Sequence, residues 1–427
     1  MIAWRRTLPW ILAAIVAAIG WRATWFLCDD AFIAFRYVGN AHDGNGLVWN
    51  AAPFLPVEGY TSFLWVGLLW FVWGATGVEP PVSSNWLSLA CALGTLLLVA
   101  RFAARMALPA RAERWRNVLA AIVLVGAAGN ATFATWASSG LETALFGLCA
   151  VGWTLHAAAP RRAWRPRDLA GLAAWAALAQ LTRPDGALLT LATLALAAQR
   201  TQVGAMPWRR TALGLLPLAL PAAHLLWRRA YYGEWLPNTY YAKVTAPWPD
   251  CGACYLFCFL CEHGAFVLLP VAGIALALAL RGGRAPLGTA IAVFTWLGYV
   301  AYYTLVVGGD HFGYRIYAHF VPLLLLAGLW AAASLRLPGP LAAAWLALLA
   351  IATDGPGWVL ERALQGHEDE GYVRASTVAP KPLRPLFAWY DRCQAYCRVH
   401  SVGIHRVVHA RFCDAVRAAF PERRPGQ

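Results

Sequence analysis

Apolar residues in this 427-residue chain come in long runs broken by short polar stretches, with little strict alternation. Crossing a bilayer core of roughly 30 Å takes about 20 helical residues. Segments of that length, or nearly so, are 10–27, 84–104, 117–137, 141–159, 168–182, 185–199, 211–228, 264–280, 286–306, 318–335 and 339–353. The pattern predicts an all-α polytopic membrane protein with about eleven transmembrane helices within residues 1–353. The run 61–78 is set apart, because counting it as a span would place the Arg-rich loop 101–116 outside. It is read as a re-entrant or juxtamembrane helix on the outer face, rich in Trp and Phe as an interface favours, within a first outer loop 28–83. Residues 354–427 have ordinary polarity and two amphipathic stretches, Leu386 to Val399 and Ile404 to Phe420. They form a small extramembrane C-terminal segment.

Composition sharpens this picture. Hydrophobic residues make up 60% of the chain and charged ones 13%, half of what a soluble surface of this size carries. A soluble enzyme and intrinsic disorder are both excluded. The net charge of +14 would suit a nucleic-acid partner if it were spread over a surface, but it is not. With a cytoplasmic N-terminus, the loops falling inside hold 17 Arg against 2 acids, and the first span with the loops falling outside holds 7 Lys or Arg against 11 acids. That asymmetry is the positive-inside rule, so the basicity reports topology and no nucleic acid is implied. The run from Trp10 to Leu27 resembles a signal sequence without a convincing small-residue cleavage site, and is expected to remain as the first helix. Arg outnumbers Lys 33 to 2, as a GC-rich bacterial genome would give.

The polar loops 28–60, 138–141, 183–185, 229–262 and 307–317 all open on one face in this topology. The first begins Cys28-Asp29-Asp30-Ala31-Phe32-Ile33-Ala34-Phe35-Arg36-Tyr37. Adjacent carboxylates at a membrane boundary repel each other, which favours a raised pKa or a bound divalent cation such as Mg or Mn for one of them. One of the pair is a candidate general base. Equally, Asp29 caps a helix and Asp30 favours its dipole. Glu58 and Tyr60 precede the 61–78 helix, with Thr61 or Ser62 as its N-cap. Glu142 follows a tight turn at Ser138-Ser139-Gly140, where helix capping is its expected role. Arg183 and Asp185 flank Pro184 between two apolar helices, either pairing with each other or serving a site at membrane depth. The aromatic loop from Tyr231 ends at Lys243. Asp310, His311 and Arg315 follow Gly308-Gly309, where guanidinium and imidazole suit a phosphate.

Cys251, Cys254, Cys258 and Cys261 have spacings of 3, 4 and 3. This is an amphipathic helical stripe, for which packing or a disulfide is expected over zinc, and no metal site is assigned. No phosphate-binding Walker loop or dinucleotide fingerprint appears, which argues against a soluble nucleotide donor.

Taken in order, DDAFIAFRY, GNGLVWN, VEGYTSFLW, SSGLETAL, TRPDGALL, YYGEWLPNTYYAK and GGDHF resemble the GT-C glycosyltransferases, specifically the actinobacterial terminal arabinofuranosyltransferases that use a polyprenyl-phosphate-linked arabinose. The resemblance covers residues 1 to about 335. The family carries a larger outer domain where this chain has its short tail. The resemblance implies a GT-C-like fold in the inner membrane, with the active site and C-terminus on the periplasmic side. The implied partners are a polyprenyl-phosphate-linked sugar, the bilayer, and a glycan, lipid or protein acceptor. It further implies Asp29 as the catalytic carboxylate with Asp30 beside it, and matches Glu58, Arg183 and Lys243, and more loosely Asp310, His311 and Arg315, to positions of the family's motifs; these residues, together with Arg36 and Tyr60, are the candidate donor phosphate and sugar ligands. A secondary transporter or lipid flippase is the alternative. It would place ionisable groups at the bilayer midplane and show inverted repeats, whereas here 11 of the 13 acids before the tail lie at outer helix ends or loops.

Overall fold

The computed structural model describes residues 3–160, 163–243, 247–281, 287–364 and 375–396, together with 414 and 418. Among the described residues every regular element is helical. Along the chain run α1 (Ala3–Ala23), α2 (Ala31–His42), α3 (Phe63–Thr76), α4 (Pro80–Arg105), α5 (Arg116–Gly129), α6 (Thr143–Ala158), α7 (Pro166–Thr182) and α8 (Ala187–Gln202). They are followed by α9 (Trp208–Leu215), α10 (Ala219–Tyr232), α11 (Asn238–Lys243), α12 (Pro249–Glu262), α13 (Ala265–Arg281), α14 (Leu287–Tyr302), α15 (Phe320–Ser334) and α16 (Gly339–Leu364).

Among the described residues, length and composition let three helical stretches cross a membrane: Pro80–Arg105, Leu287–Val307 and Arg315–Ser334. A fourth arises if Pro249–Glu262 and Val267–Ala279, which meet at 90°, count as one broken span. Other predicted spans are present as shorter apolar helices, and local chemistry explains where they stop. The run 117–137 breaks at Asn130, whose side chain accepts from Phe133 N and starts the short helix Ala131–Trp136. The run 211–228 is not one helix: it is divided between α9 and α10 by a tight turn at Leu216–Leu218, centred on Pro217, which has no N–H to continue the ladder. By contrast, the helix expected over 339–353 continues to Leu364. The 14-residue α3 is about 21 Å long at 1.5 Å per residue, short of a bilayer core. It buries Trp65, Val66 and Leu69 against its neighbours and leaves Trp70 and Phe71 exposed. Of the two amphipathic stretches expected in the tail, helical residues 384–396 cover most of the first, while 404–420 lies outside the described residues apart from 414 and 418.

Small residues set the close packing that membrane helices rely on. Ala173, Ala176, Ala177 and Ala179 are buried along α7, which packs against both α6 and α8. An aliphatic core of Leu96, Leu119, Val123 and Leu346 joins α4, α5 and α16. A second, aromatic core holds Tyr37, Trp65, Trp153, Tyr299 and Tyr317 and lies under the polar loops. The helix α16 is also tied across the bundle: Asn130 Nδ2 donates to Thr353 O at 2.8 Å and Ala131 N to Asp354 Oδ1 at 2.8 Å.

Candidate active site

The connection from α1 to α2 is held by a buried amide. Asn85, near the start of α4 and fully buried, donates from Nδ2 to Phe26 O at 3.0 Å and accepts at Oδ1 from Gly140 N at 2.8 Å. Its own carbonyl accepts from Trp21 Nε1 at 3.0 Å. Gly140 O accepts from Trp65 Nε1 at 3.1 Å, and Cys28 N donates to Ser139 O at 2.9 Å. Gly140 has φ +76°, and a Cβ there would lie 2.8 Å from Leu27 Cδ2, so both conformation and space call for glycine. Three motifs distant in sequence are thereby joined at the level of Asp29.

Asp29 itself is exposed. Its Oδ1 accepts from Asp30 N at 2.9 Å and from Cys28 Sγ at 3.3 Å. These bonds, the thiol first, hold its carboxyl below the ordinary value, with a further contribution from His311. The raised pKa expected from two adjacent carboxylates is therefore not found at Asp29, because donors and water stabilise its charge. The capping roles also differ from expectation. Asp30, not Asp29, occupies the N-cap position of α2, and its side chain makes no capping bond.

The loop carrying His311 is built by two glycines. Gly308 and Gly309 have φ +86° and +90°, and both amides donate to Tyr303 O at 3.0 Å. This turns the chain so that Asp310 is buried beneath His311. Arg315 Nε donates to Asp310 Oδ2 at 2.9 Å, and His311 Nδ1 lies 3.3 Å from Asp310 Oδ1. Although burial opposes ionisation, Arg315 and His311 keep the Asp310 carboxyl well below its usual range. The loop is fastened by Trp136, whose Nε1 donates to Gly313 O at 2.7 Å and whose ring lies between those of Phe26 and Phe312.

Below this loop lies a buried ionic cluster. Arg183 pairs with Asp185 at 3.1 Å and Glu142 at 3.4 Å, and donates to Tyr303 Oη at 3.0 Å. Tyr303 and Tyr299 donate to Asp185 Oδ2 at 2.7 and 3.0 Å, and Tyr299 also to Ile316 O. Arg183 and Glu142 both act electrostatically on Arg315. The expected Arg183–Asp185 pair is present. Glu142 sits at the N-cap position without a capping bond, and its carboxylate serves the ion pair. Glu142, Tyr299 and Tyr303 were not expected among the site residues. Glu142 was visible only as an acid at a helix start, and the tyrosines lay in an apolar run.

The remaining expected ligands form a second group around the loop 44–60. Glu58 is buried and its Oε2 lies 2.7 Å from Arg228 Nε. Burial pushes its carboxyl above the usual range even against that guanidinium. Tyr60 and Tyr232 hydroxyls are 3.2 Å apart, and Tyr37 Oη donates to Val57 O and accepts from Gly59 N. Arg36 donates to Trp49 O at 2.7 Å and Asn50 Oδ1 at 2.9 Å while lying over the Trp49 ring. Thus Arg36, Glu58 and Tyr60 are engaged in shaping this loop, and Arg228 is a partner the sequence did not single out. Asn238 N donates to Glu58 O at 3.0 Å, which brings α11 against the same loop. Lys243 closes α11, and its side chain lies outside the described residues.

The four cysteines of the expected stripe all lie on α12, with Cys251 and Cys258 buried. Among the described residues no three His, Cys, Asp or Glu side chains are grouped to hold one metal ion.

No protein-family model matches the chain. Two curated proteins named terminal beta-(1->2)-arabinofuranosyltransferase are similar to it. The relative from Mycobacterium tuberculosis is 33% identical over 251 residues, 56% of this chain and 38% of that protein. The one from Corynebacterium glutamicum is 31% identical over 263 residues, 54% of this chain and 36% of that protein. This chain spans little more than a third of the length of those relatives. Over somewhat more than half of its own length, then, the chain is similar to actinobacterial terminal arabinofuranosyltransferases.

Proposed function

We propose that this chain is a membrane glycosyltransferase that moves a sugar, arabinofuranose, from a polyprenyl-phosphate donor to an acceptor hydroxyl of a cell-envelope glycan, lipid or protein. The reaction takes place at the outer face of the bacterial inner membrane, with the N-terminus cytoplasmic, about eleven helices crossing and α3 lying along the interface. The observation that carries this reading is the exposed Asp29, near enough to His311 for the imidazole to act on its carboxyl, with Asp310 and Arg315 paired next to His311 and the Glu142–Arg183–Asp185 cluster acting on Arg315. Similarity to two arabinofuranosyltransferases supports the choice of sugar.

In the reaction the acceptor oxygen bonds to the sugar's anomeric carbon while the bond from that carbon to the phosphate oxygen breaks. Polyprenyl phosphate is a good leaving group, so cations, not a general acid, suffice on that side; His311, Arg315 and Lys243 are assigned there. Asp29 takes the acceptor proton. In the free protein its carboxylate is a weak base. An anionic donor and the exclusion of water both raise its proton affinity as the site fills. Arg183 and Asp185 hold the floor.

Asp29→Asn preserves size and removes the base. Membranes carrying it should bind donor normally but transfer sugar about 10²-fold more slowly or worse, the usual worth of general-base catalysis. Undiminished transfer would remove Asp29 from the role.

A further inference from the structure

The C-terminal segment returns to the site loop through one carboxylate. Helical residues 384–396 lie against α12, with the Phe257 and Trp389 rings 5.1 Å apart and Tyr390 buried. At the last residue of α12, Glu262 Oε1 accepts from the hydroxyls of Tyr390 and Tyr314. Gln394 Nε2 stands beside the same three oxygens, 3.3 Å from Glu262 Oε1, 3.3 Å from Tyr314 Oη and 3.1 Å from Tyr390 Oη. The segment is also braced from within: Asp391 Oδ2 accepts from Ser376 N at 3.0 Å and from Ser376 Oγ at 2.6 Å.

Tyr314 belongs to the loop of Asp310, His311 and Arg315 and directly precedes the arginine. Its φ of +52° is a conformation that a bulky residue seldom holds unless its surroundings enforce it. Those surroundings come from one face of α12, because helical residues three and four apart share a face. The rings of Tyr255 and Phe259 pack on the Tyr314 ring at centroid distances of 5.4 and 5.5 Å, and Glu262 takes its hydroxyl hydrogen. Tyr255 Oη also donates to Phe312 O at 3.1 Å. Glu262 thus joins the loop, α12 and the C-terminal segment, and the proposed chemistry does not use it.

We propose that Glu262 is a positioning residue: by tying the site loop to the C-terminal segment it holds Tyr314, and with it the neighbouring Arg315, in place. This rests on the reading of His311 and Arg315 as cations that meet the donor phosphate. The carboxylate is assigned no contact with the reacting atoms, so its effect reaches the donor only through the loop. Loosening the loop costs donor binding and leaves acceptor binding alone.

The test compares purified full-length wild type with Glu262→Leu, Glu262→Gln, Tyr314→Phe and Tyr390→Phe, by amide hydrogen exchange and by transfer kinetics. Leucine removes the acceptor, glutamine keeps a carbonyl oxygen for the hydroxyls, and each phenylalanine keeps its ring and removes one donor. In Glu262→Leu, peptides covering 308–318 should exchange faster while those of α5 stay as in wild type. KM for polyprenyl-phosphate arabinose should rise up to about tenfold, as loss of one neutral hydrogen bond allows, and KM for the acceptor should not move. Glu262→Gln should keep most of the wild-type behaviour. Tyr314→Phe should reproduce the leucine effects and add nothing when combined with Glu262→Leu, and Tyr390→Phe should quicken exchange in both the loop and residues 384–396. Should leucine prevent folding, the phenylalanine variants decide alone. Wild-type exchange at 308–318 in these variants, or faster exchange with the donor KM unmoved, would overturn the assignment. A wild type that transfers no sugar would sink the assigned reaction instead, and the exchange pattern would still decide whether Glu262 anchors the loop.

Discussion

Asp29 lies at the surface with two donors on its carboxylate, and this sets how transfer should depend on pH. Its pKa is depressed from an ordinary 3.8, so the free enzyme holds the base ionised throughout the neutral range. The kcat/KM profile, which reports the free enzyme, should show no acid limb from this group above about pH 5. A limb near pH 6 that disappears in Asp29→Asn would contradict the observed environment. Glu58 shows the opposite balance, since burial outweighs its partner. Removing one member of a buried pair leaves an uncompensated charge, typically a loss of about 3–5 kcal/mol. Arg228→Met should therefore lower the Tm of detergent-solubilised protein markedly. Because the orphaned Glu58 has a folded-state pKa above its unfolded value, the stability of the variant should be highest in acid and decline as pH rises through the folded value.

At the scale of elements, the site depends on how its loops are pinned to helix ends, and Asn85 pins two of them, the α1–α2 connection and the turn at Gly140. Asn85→Leu fits an apolar span yet leaves Gly140 N and Phe26 O buried without partners, at about 1–3 kcal/mol each. The variant should melt earlier and also lose transfer, although position 85 is assigned no contact with substrate. A lower Tm with unchanged turnover would show that the seat of Asp29 does not rely on this amide. These links explain what could be read in the sequence. The apolar runs mark most helices to within a few residues, and Arg183 with Asp185 was recognisable because partners two positions apart meet through local geometry. Glu142 to Arg183 spans 41 positions and Glu58 to Arg228 spans 170, and no periodicity encodes such contacts. The break at Asn130 was missed because a capping amide amid small residues does not interrupt hydropathy. Pro217 stood in the open, but hydropathy averaging smoothed over it.

For the whole molecule, the charge asymmetry and the site make one joint demand: every loop that contributes to the site must lie on the same side. A reporter that matures only outside the cytoplasm should be active when fused after Asn50 or Trp235 and silent when fused after Arg111. The reverse pattern would separate the site from the proposed face of the membrane. Within that frame the helix Ala131–Trp136 has an unusual dependence. It is begun by Asn130 and tied at that same end to Thr353 and Asp354 across the bundle, and its Trp136 holds the His311 loop through Gly313. During synthesis, therefore, a ribosome can deliver every motif of the site and still leave it unfinished until α16 emerges. A nascent chain stalled before that point carries the site's motifs without the two bonds that tie the start of Ala131–Trp136 to α16.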